Sequence, residues 1–204
     1  NAGRFNLGDR NVRSNRYWFQ LNETFIYTIR GGVIKPMFHR KTMASLLSYR
    51  DKKGGITEEG INKAISVLFI YNKIIENIRV RKVFVIATAS FRNLQNKDET
   101  ADAIKKTTGF DVNVISGEEE GICGFIGATY NVNVDSGLMV DIGGGSTEFV
   151  FYKDRKICRT YSVQMGSLSL FANFVSGIIP TKEEYKRIKK YVESQLESID
   201  SGEA

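Results

Sequence analysis

Three short stretches near the N-terminus are rich in aromatic and β-branched residues and are separated by turn signals. They are Tyr17–Leu21, Thr24–Arg30 and Val33–Leu47, and the sequence "RGGV" at Arg30–Val33 joins the last two. Aromatic and β-branched side chains favour strands, and paired glycines favour a tight hairpin turn. The pattern therefore predicts an antiparallel meander of three strands.

Helical spacing begins after this meander. Thr57 is a suitable N-cap, because the two glutamates after it favour a first helical turn. Apolar residues then recur every three or four positions: Ile61, Ile65, Leu68, Tyr71, Ile75 and Ile78. The spacing predicts a long amphipathic helix, and the apolar run Val83–Ala89 predicts a buried parallel strand after it.

The next segment repeats this alternation of helix and strand. Asn96 with Glu99 has the pattern of a helix N-cap, and Gly109 is a typical stop signal. Val112–Ser116 predicts another strand, and the acidic "GEEEG" after it suits the start of a third helix. The first half of the chain is thus predicted as β-β-β-α-β-α-β-α.

A second meander is predicted over residues 137–163, where "GGG" and "KDRK" interrupt strand-like sequence. A helix is predicted over "GSLSLFANFV", and another one follows Thr181 and Glu184, which form a capping box. The apolar face of that last helix is predicted to consist of Tyr185, Ile188, Val192, Leu196 and Ile199.

Two meanders that are each followed by helices predict two related domains with a cleft between them. The boundary is expected near Asn131–Gly137, which gives domains over residues 1–131 and 132–204. Residues 1–20 are expected to be divergent or not native to the domain. The second domain has no later strands to match those of the first, so we expect it to be truncated.

Composition narrows the class of protein. The hydrophobic fraction of 42% and the charged fraction of 25% fit a globular protein with a substantial core. No apolar run is long enough to span a membrane, and the N-terminus lacks the apolar segment of a signal peptide. The two cysteines, Cys123 and Cys158, are too few for a disulfide framework, which predicts reduced thiols and a cytoplasmic location.

The chain is basic, with a formal net charge of +6. Basic residues cluster at Tyr49–Lys53, Arg79–Lys82 and Lys186–Lys190. A basic surface attracts polyanions such as polyphosphate, nucleotides or nucleic acid. The alternative for each cluster is a solvated helix face. The single histidine, His39, argues against a metal site built from histidines.

The sequence "VDIGGGSTEFV" at Val140–Val150 carries the clearest chemical signal. A turn of glycines between two strands can present consecutive backbone N–H groups to an anion, and without Cβ atoms a phosphate can come close. Gly143, Gly144 and Gly145 are predicted to hold phosphate in this way, and Ser146 and Thr147 are predicted to add hydroxyl donors to it. The alternative is a tight hairpin with a glycine bulge. A P-loop is excluded, because the turn leads into a strand and lacks the P-loop lysine.

Charged residues beside this turn and in two further motifs are candidates for phosphate chemistry. Asp141 is suited to hold a hydrated Mg²⁺, and Glu148 could orient a water or the metal. In "ISGEEEG" three carboxylates crowd a strand end and a helix start, where like charges raise at least one pKa, which would suit a general base. In "ATASFRN", Arg92 follows a strand end, where a guanidinium could contact a phosphate. The alternatives are an ordinary acidic first turn and a surface arginine.

Four motifs taken together resemble the exopolyphosphatase/guanosine pentaphosphate phosphohydrolase family. They are "ATASFRNLQNKDE", "VISGEEEG", "VDIGGGSTEFV" and "VQMGSLSLFANF", in this order, and the resemblance covers roughly Thr24 to Leu196. The family belongs to the actin/Hsp70/sugar-kinase superfamily. The resemblance therefore implies an α/β protein with two ribonuclease-H-like domains of mixed sheet facing each other across a cleft.

The resemblance also implies an activity and roles for individual residues. Family enzymes remove the terminal phosphate of inorganic polyphosphate, or the 5′ γ-phosphate of pppGpp, with Mg²⁺. By motif matching, Glu120 would be the general base, Asp141 would help to bind the metal, and Arg92 would contact substrate phosphate. The glycine turn from Gly143 to Ser146 would hold phosphate, with Glu148 near the water or the metal. Asn96 matches a recurring family asparagine of less certain role.

Three departures from the family pattern support a second interpretation. The family's first phosphate loop, "DxGSNS", has no recognisable counterpart, since Gln20 and Asn22 stand where Asp and Gly are expected. The family's "EEAR" is replaced by "EEGI" at Glu119–Ile122, and the second domain is short. The alternative is therefore a degenerate, non-catalytic member that binds phosphate or an alarmone as a regulatory module. Neither DNA-specific binding nor a membrane is expected, and a homodimer is left open.

Overall fold

The computed structural model of the protein describes residues 14–19, 23–41 and 49–200. The strands are β1 (Ser14–Phe19), β2 (Glu23–Arg30), β3 (Val33–Lys41), β4 (Lys82–Ala87), β5 (Val112–Val114), β6 (Gly137–Ile142), β7 (Thr147–Lys153) and β8 (Lys156–Val163). The helices are α1 (Glu58–Ile78), α2 (Ala89–Arg92), α3 (Lys97–Thr108), α4 (Gly117–Thr129), α5 (Ser167–Phe174) and α6 (Lys182–Leu196). These elements form two compact units, one up to Val114 and one from Ile115 onwards.

The first unit contains a five-stranded mixed sheet. Its strand order is β3-β2-β1-β4-β5, with antiparallel pairing of β1, β2 and β3 and parallel pairing of β1, β4 and β5. The predicted order β-β-β-α-β-α-β-α is confirmed, with the short α2 as an addition. The core of this unit combines the apolar face of α1 with β4 and with residues of α2 and α3, and its fully buried members include Ala64, Ala87, Phe91 and Ile104.

Several element boundaries differ from the predicted ones. The predicted strand Val83–Ala89 ends at Ala87, because Ala89–Arg92 turn into α2. β5 ends at Val114, since Ser116 is already the N-cap of α4. The ends of the first and third predicted strands, at residues 20–21 and 42–47, lie outside the described residues, and so does most of the segment 1–20.

Local capping and turn signals are confirmed. The Thr57 hydroxyl accepts a hydrogen bond from Gly60 N at the start of α1, and Gly109 ends α3 in the left-handed conformation with φ 75°. The "RGGV" turn places Gly31 and Gly32 at φ 58° and 80°, as the hairpin prediction requires. Asn96 does occupy the N-cap position of α3, but its side chain does not cap the helix.

The second unit is a three-stranded antiparallel sheet, β6-β7-β8, with a helix on one face and two on the other. Phe125 of α4 packs with Val150 and Tyr152 on one face of β7. Phe149 and Phe151 point to the other face, where residues of α5 and α6 cover them. Because both faces are covered, β7 is buried from Thr147 to Tyr152. Over the described residues this sheet is antiparallel and not mixed.

The predicted domain boundary at residues 131/132 assigns α4 to the first domain, whereas α4 packs on the second sheet. An added Cβ on Gly121 would lie 2.8 Å from Cγ2 of Thr160 and 3.2 Å from Cγ2 of Val150. This close approach explains why the two compact units divide at Val114 and not after α4.

The predicted apolar face of α6 is correct only in part. Tyr185 and Leu196 are exposed, at 60% and 41%. Val192 and Ile199 pack on the core as predicted, and Tyr191 packs there too, so the packed stripe runs through these residues and not through Tyr185. No helix among the described residues has both the length and the apolar character that crossing a bilayer requires.

Candidate functional site

The glycine turn joins β6 to β7 in the second unit. It is closed by a hydrogen bond from Gly143 N to Ser146 O of 2.9 Å, and the strands it connects are in register from Gly137 to Tyr152. The turn is therefore a defined hairpin loop, as expected for "GGG" between two strands. None of the three glycines has a positive φ, so their backbone conformation alone does not require glycine.

The carbonyl groups of this turn face the start of α5. Gly143 O accepts a hydrogen bond of 2.9 Å from Ser167 N, and Gly144 O accepts bonds of 2.9 Å from both Leu168 N and Ser169 N. The first N–H groups of any helix lack partners within the helix. Here the glycine turn supplies those partners, so the turn and α5 form one structural unit.

The N–H groups of the turn consequently point away from α5. A trans peptide directs its C=O and N–H in opposite directions, and no described peptide bond is cis. The N–H groups of Gly144 and Gly145 belong to the peptides whose carbonyls bind α5, and neither donates a hydrogen bond to another group in the described part of the chain. Successive N–H groups that point to one side form an anion-binding concavity.

Two carboxylates lie beside the turn on neighbouring strands. Asp141 of β6 is directly opposite Glu148 of β7, and Glu148 is opposite Ser162 of β8. Opposite residues have Cβ atoms about 5 Å apart and share one face of the sheet. Glu148 is 1% exposed and accepts a hydrogen bond of 2.8 Å from Ser162 Oγ, whereas Asp141 is exposed.

Helix α4 crosses this face of the sheet, with two glycines towards it. An added Cβ on Gly124 would lie 3.6 Å from Oδ2 of Asp141, and one on Gly121 would lie 3.6 Å from Cβ of Glu148. Glycine at 121 allows the helix to approach β7 and β8 closely, which accounts for glycine where the family's "EEAR" has alanine. Glu120, the residue before Gly121, is half-buried and is thus in the part of α4 that lies over Glu148.

The three acids at the start of α4 have different environments. Glu119 forms a capping box with Ser116, in which Ser116 N donates to Glu119 Oε2 at 2.8 Å and Glu119 N donates to Ser116 Oγ at 3.1 Å. Glu118 is exposed, and Glu120 is half-buried. The ordinary interpretation of an acidic first turn therefore explains Glu119, which leaves Glu120 as the half-buried acid of the three.

The two hydroxyl residues after the glycines are buried, at 2% exposure each. Thr147 Oγ1 donates a hydrogen bond of 2.7 Å to Met165 O, so its proton is committed within the fold. Its predicted contact with phosphate stays a prediction. Ser146 belongs to the closed turn through its carbonyl group, which accepts from Gly143 N.

Arg92 lies in the first unit, at the last position of α2. Its backbone N donates to Thr88 O at 2.9 Å, and its neighbour Phe91 is fully buried in the core. The prediction that this arginine follows the end of a strand is confirmed, because β4 ends at Ala87 and α2 comes directly after it. Its predicted contact with substrate phosphate stays a prediction.

Among the described residues, no group of three or more His, Cys, Asp or Glu side chains is arranged to hold a metal ion. The pair of Asp141 and Glu148 fits the way Mg²⁺ is usually bound, by one or two carboxylates together with waters and substrate phosphates. Such a pair could hold a Mg²⁺ that binds together with the substrate, and the expected Mg²⁺ stays a prediction.

The sequence did not indicate two contributors to this site. Ser162, which donates to Glu148, lies in an ordinary strand and carries no local signal. The start of α5 carries the motif "VQMGSLSL", but its role as the partner of the glycine carbonyls depends on contacts between residues more than 20 positions apart.

Curated proteins that are similar in sequence to this chain include a putative exopolyphosphatase and an exopolyphosphatase. The chain is 25% identical over 173 residues to a putative exopolyphosphatase of Haemophilus influenzae, a match that covers 84% of this chain and 53% of the relative. It is also 25% identical over 169 residues to exopolyphosphatase 1 of Mycobacterium tuberculosis, covering 82% and 49%. The chain thus spans about half the length of the curated relatives it matches.

Solved structures give the same result for the fold. A Ppx/GppA family member of Aquifex aeolicus matches with 30% identity and a TM-score of 0.71, covering 91% of this chain and 61% of the other. An exopolyphosphatase of Cytophaga hutchinsonii matches with 26% identity and a TM-score of 0.80, covering 91% and 60%. The expected α/β fold of the ribonuclease-H-like, actin-like class is thereby confirmed.

The glycine turn, the acidic start of α4 and the "ATASFRN" strand end all fall within the segment that matches one family profile, residues 25–201. That profile accounts for most of the chain and describes the Ppx/GppA phosphatase family. The chain belongs to the Ppx/GppA phosphatase family.

Proposed function

We propose that the protein is a phosphohydrolase that releases the terminal phosphate from inorganic polyphosphate or from pppGpp. The observation that carries this proposal is the arrangement of the glycine turn. Its carbonyl groups bind α5, so the N–H groups of Gly144 and Gly145 are directed to the opposite side, next to the pair Asp141 and Glu148. Such a set can hold a phosphate at a fixed distance from acidic groups.

In this proposal each residue has a defined task. The N–H groups of Gly144 and Gly145 hold oxygens of the terminal phosphate, while Gly143 and Ser146 close the turn through the bond from Gly143 N to Ser146 O. Glu120 takes a proton from water, the hydroxide attacks the terminal phosphorus, and the bond from this phosphorus to the bridging oxygen breaks. The products are orthophosphate and a chain shorter by one phosphate. Phosphoryl transfer depends mainly on positioning and charge neutralisation, which such a set can supply.

The remaining charges fit the same chemistry. Asp141 and Glu148 would hold Mg²⁺, which neutralises negative charge on the phosphate oxygens. Arg92 would contact a substrate phosphate with its guanidinium group. The net charge of +6 favours a polyanionic substrate. We expect the protein to act in the cytoplasm and to need neither a membrane nor DNA.

The test is release of orthophosphate from long-chain polyphosphate and from pppGpp, with and without Mg²⁺. Glu120→Gln should lower kcat by about 10²- to 10⁴-fold, since a general base contributes this much. Glu118→Gln is the matched control, because Glu118 is an exposed acid in the same helical turn. Equal activity of the wild type and Glu120→Gln would contradict the assignment of Glu120.

A second function is a phosphate- or alarmone-binding module without turnover. The sequence feature that favours it is the replacement of the family's first phosphate loop by Gln20 and Asn22. Loss of a set of preorganised donors typically lowers the rate by about 10²- to 10³-fold. The same assay separates the two functions, because the binding module would retain polyphosphate in equilibrium dialysis and release no orthophosphate from it.

A further inference from the structure

A loop of the first unit is attached to the segment that directly follows Arg92. Within the loop Arg50–Gly55, the Arg50 guanidinium donates a hydrogen bond of 2.6 Å to Asn93 O, and Gly54 O accepts one of 3.2 Å from Gln95 N. These groups are about 40 positions apart in the chain. The attachment is therefore a tertiary contact that the first unit specifically makes.

Asn96 completes this attachment with its side-chain amide. Its Oδ1 accepts from Ile56 N at 2.8 Å, and its Nδ2 donates to Ile56 O at 3.0 Å. The oxygen and the nitrogen of the amide are thus both paired with the backbone of one residue, Ile56. An N-cap asparagine usually accepts from its own helix. Asn96 makes no such bond, because its amide is committed to the loop.

The loop itself is closed by internal hydrogen bonds. Asp51 Oδ1 accepts from Lys53 N at 2.8 Å and from Gly55 N at 2.9 Å, and Asp51 N donates to Gly55 O at 2.9 Å. A Cβ on Gly55 would lie 2.9 Å from Asn96 Oδ1, closer than side chains normally tolerate. Glycine at position 55 thus lets the Asn96 amide keep its present place, and a larger residue there would have to shift it.

The position of Arg92 depends on what surrounds it. Phe91 and Leu94, which flank Arg92 in the sequence, are buried in the core at 1% and 7% exposure and anchor this segment there. The loop binds Asn93, Gln95 and Asn96, which immediately follow Arg92. The loop also carries exposed cations, Arg50, Lys52 and Lys53.

We propose that Asn96 is a positioning residue that holds the Arg50–Gly55 loop against the turn bearing Arg92 and so orients Arg92 towards substrate phosphate. The inference rests on the proposed function, since it assigns Arg92 to a polyphosphate or guanosine polyphosphate. A contact that is equal in the ground state and in the transition state affects KM and leaves kcat unchanged. Asn96 should therefore act on KM.

The experiment compares Asn96→Ala with Gln95→Ala in the full chain. Gln95 is the exposed neighbour of Asn96, and its backbone bond to Gly54 is retained in the alanine variant. For Asn96→Ala we expect KM for polyphosphate to rise about tenfold, which corresponds to roughly one lost hydrogen-bond pair. We expect kcat to stay the same, and Gln95→Ala to match the wild type in both constants.

Two further variants keep the test independent of folding defects. Asn96→Asp keeps the acceptor for Ile56 N but sets a carboxylate oxygen against Ile56 O, where two acceptors repel, so its KM should rise at least as much as that of Asn96→Ala. Gly55→Ala leaves Asn96 in place but displaces its Oδ1, and it should raise KM in the same way. A loss of folded protein alone would lower the apparent kcat and leave KM unchanged.

Amide hydrogen exchange over residues 89–96 and the Kd of fluorescently labelled polyphosphate are measured on the same proteins. If the wild type releases no phosphate, the proposed activity fails, and the positioning role is then tested by comparing the Kd of Asn96→Ala with that of Gln95→Ala. If the wild type binds no polyphosphate either, the orientation of Arg92 towards substrate fails as well, and hydrogen exchange at residues 89–96 tests only the attachment of the loop. An Asn96→Ala protein that matches Gln95→Ala in KM or Kd overturns the inference, as does one with unchanged exchange over residues 89–96.

Discussion

Gly166 precedes α5 and lies against the glycine turn, so replacing it by alanine tests how the turn is held. A Cβ on Gly166 would lie closer than 3.0 Å to the carbonyl group of Gly144 and to Gly145 N. Real Cβ atoms essentially never approach backbone that closely. Gly166 has φ −87° and ψ 159°, a conformation open to alanine, so the effect of the substitution is purely steric.

The size of the effect follows from the contacts that must give way. Backbone atoms cannot rotate out of the way, so the turn and α5 have to separate by about 1 Å to reach ordinary van der Waals contact. The bonds from Ser167 N, Leu168 N and Ser169 N, each 2.9 Å long, would then be broken or weakened. Each is worth about 1 kcal/mol, so we expect Gly166→Ala to lower the free energy of unfolding by about 2–4 kcal/mol.

The assay is urea denaturation followed by far-UV circular dichroism, together with amide hydrogen exchange of residues 167–169. Gly127→Ala is the matched control, because a Cβ on Gly127 in α4 would meet nothing within 4 Å. This control should gain about 0.5–1 kcal/mol, as alanine replaces glycine inside a helix. If the unfolding midpoint and the exchange rates of Gly166→Ala equal those of the wild type, the turn is not held by α5.

Two further substitutions test buried polar groups of the second unit. Thr147→Val keeps the shape but removes the hydroxyl that donates to Met165 O, and the buried unpaired carbonyl should lower the free energy of unfolding by about 1–3 kcal/mol in urea denaturation. The pKa of Glu184 is lowered to about 2, mainly by the backbone N–H of Thr181 and also by the Ser176 hydroxyl and N–H. Glu184→Gln should therefore destabilise the protein above about pH 4.5, and this difference should disappear as the pH falls towards 2.

The direction of the pH effect follows from which state binds the proton. The folded carboxyl has the lower pKa, so ionisation favours the folded state, and acid removes that preference. Glu183→Gln, an exposed acid in the same first turn of α6, is the control and should show no such pH dependence. A constant difference between the wild type and Glu184→Gln from pH 7 to pH 2 would be inconsistent with the lowered pKa. For Thr147→Val, a wild-type midpoint would mean that the bond to Met165 contributes nothing.

Caps and turns whose signals lie within a few neighbouring residues were predictable from the sequence. The N-cap Thr57, the stop at Gly109 and the capping box of Thr181 with Glu184 depend on residues within four positions, and all are confirmed. The hairpin turns at "RGGV" and "KDRK" are equally local, because left-handed residues there match the twist of the flanking strands.

Contacts between distant segments were not predictable. Asn96 has the sequence of a helix cap, yet its amide binds Ile56, because a backbone partner 40 positions away competes with the helix for it. Gly121 deviates from the family motif, and only its approach to Thr160 and Val150 explains the deviation. The same holds for Tyr185, whose helical spacing predicts burial although the packed side of α6 is formed by Tyr191 and Val192.

The glycine turn has two sides, and each accounts for part of its sequence. On one side its carbonyl groups fill the donor positions at the start of α5, which requires the absence of a Cβ at Gly166. On the other side the N–H groups of Gly144 and Gly145 are left for an anion, beside Asp141 and Glu148 on the paired strands. The helix fixes the carbonyls, and the planar peptides transmit that orientation to the N–H groups. If the turn binds phosphate as proposed, a change at the start of α5 should therefore weaken that binding through the orientation of the turn.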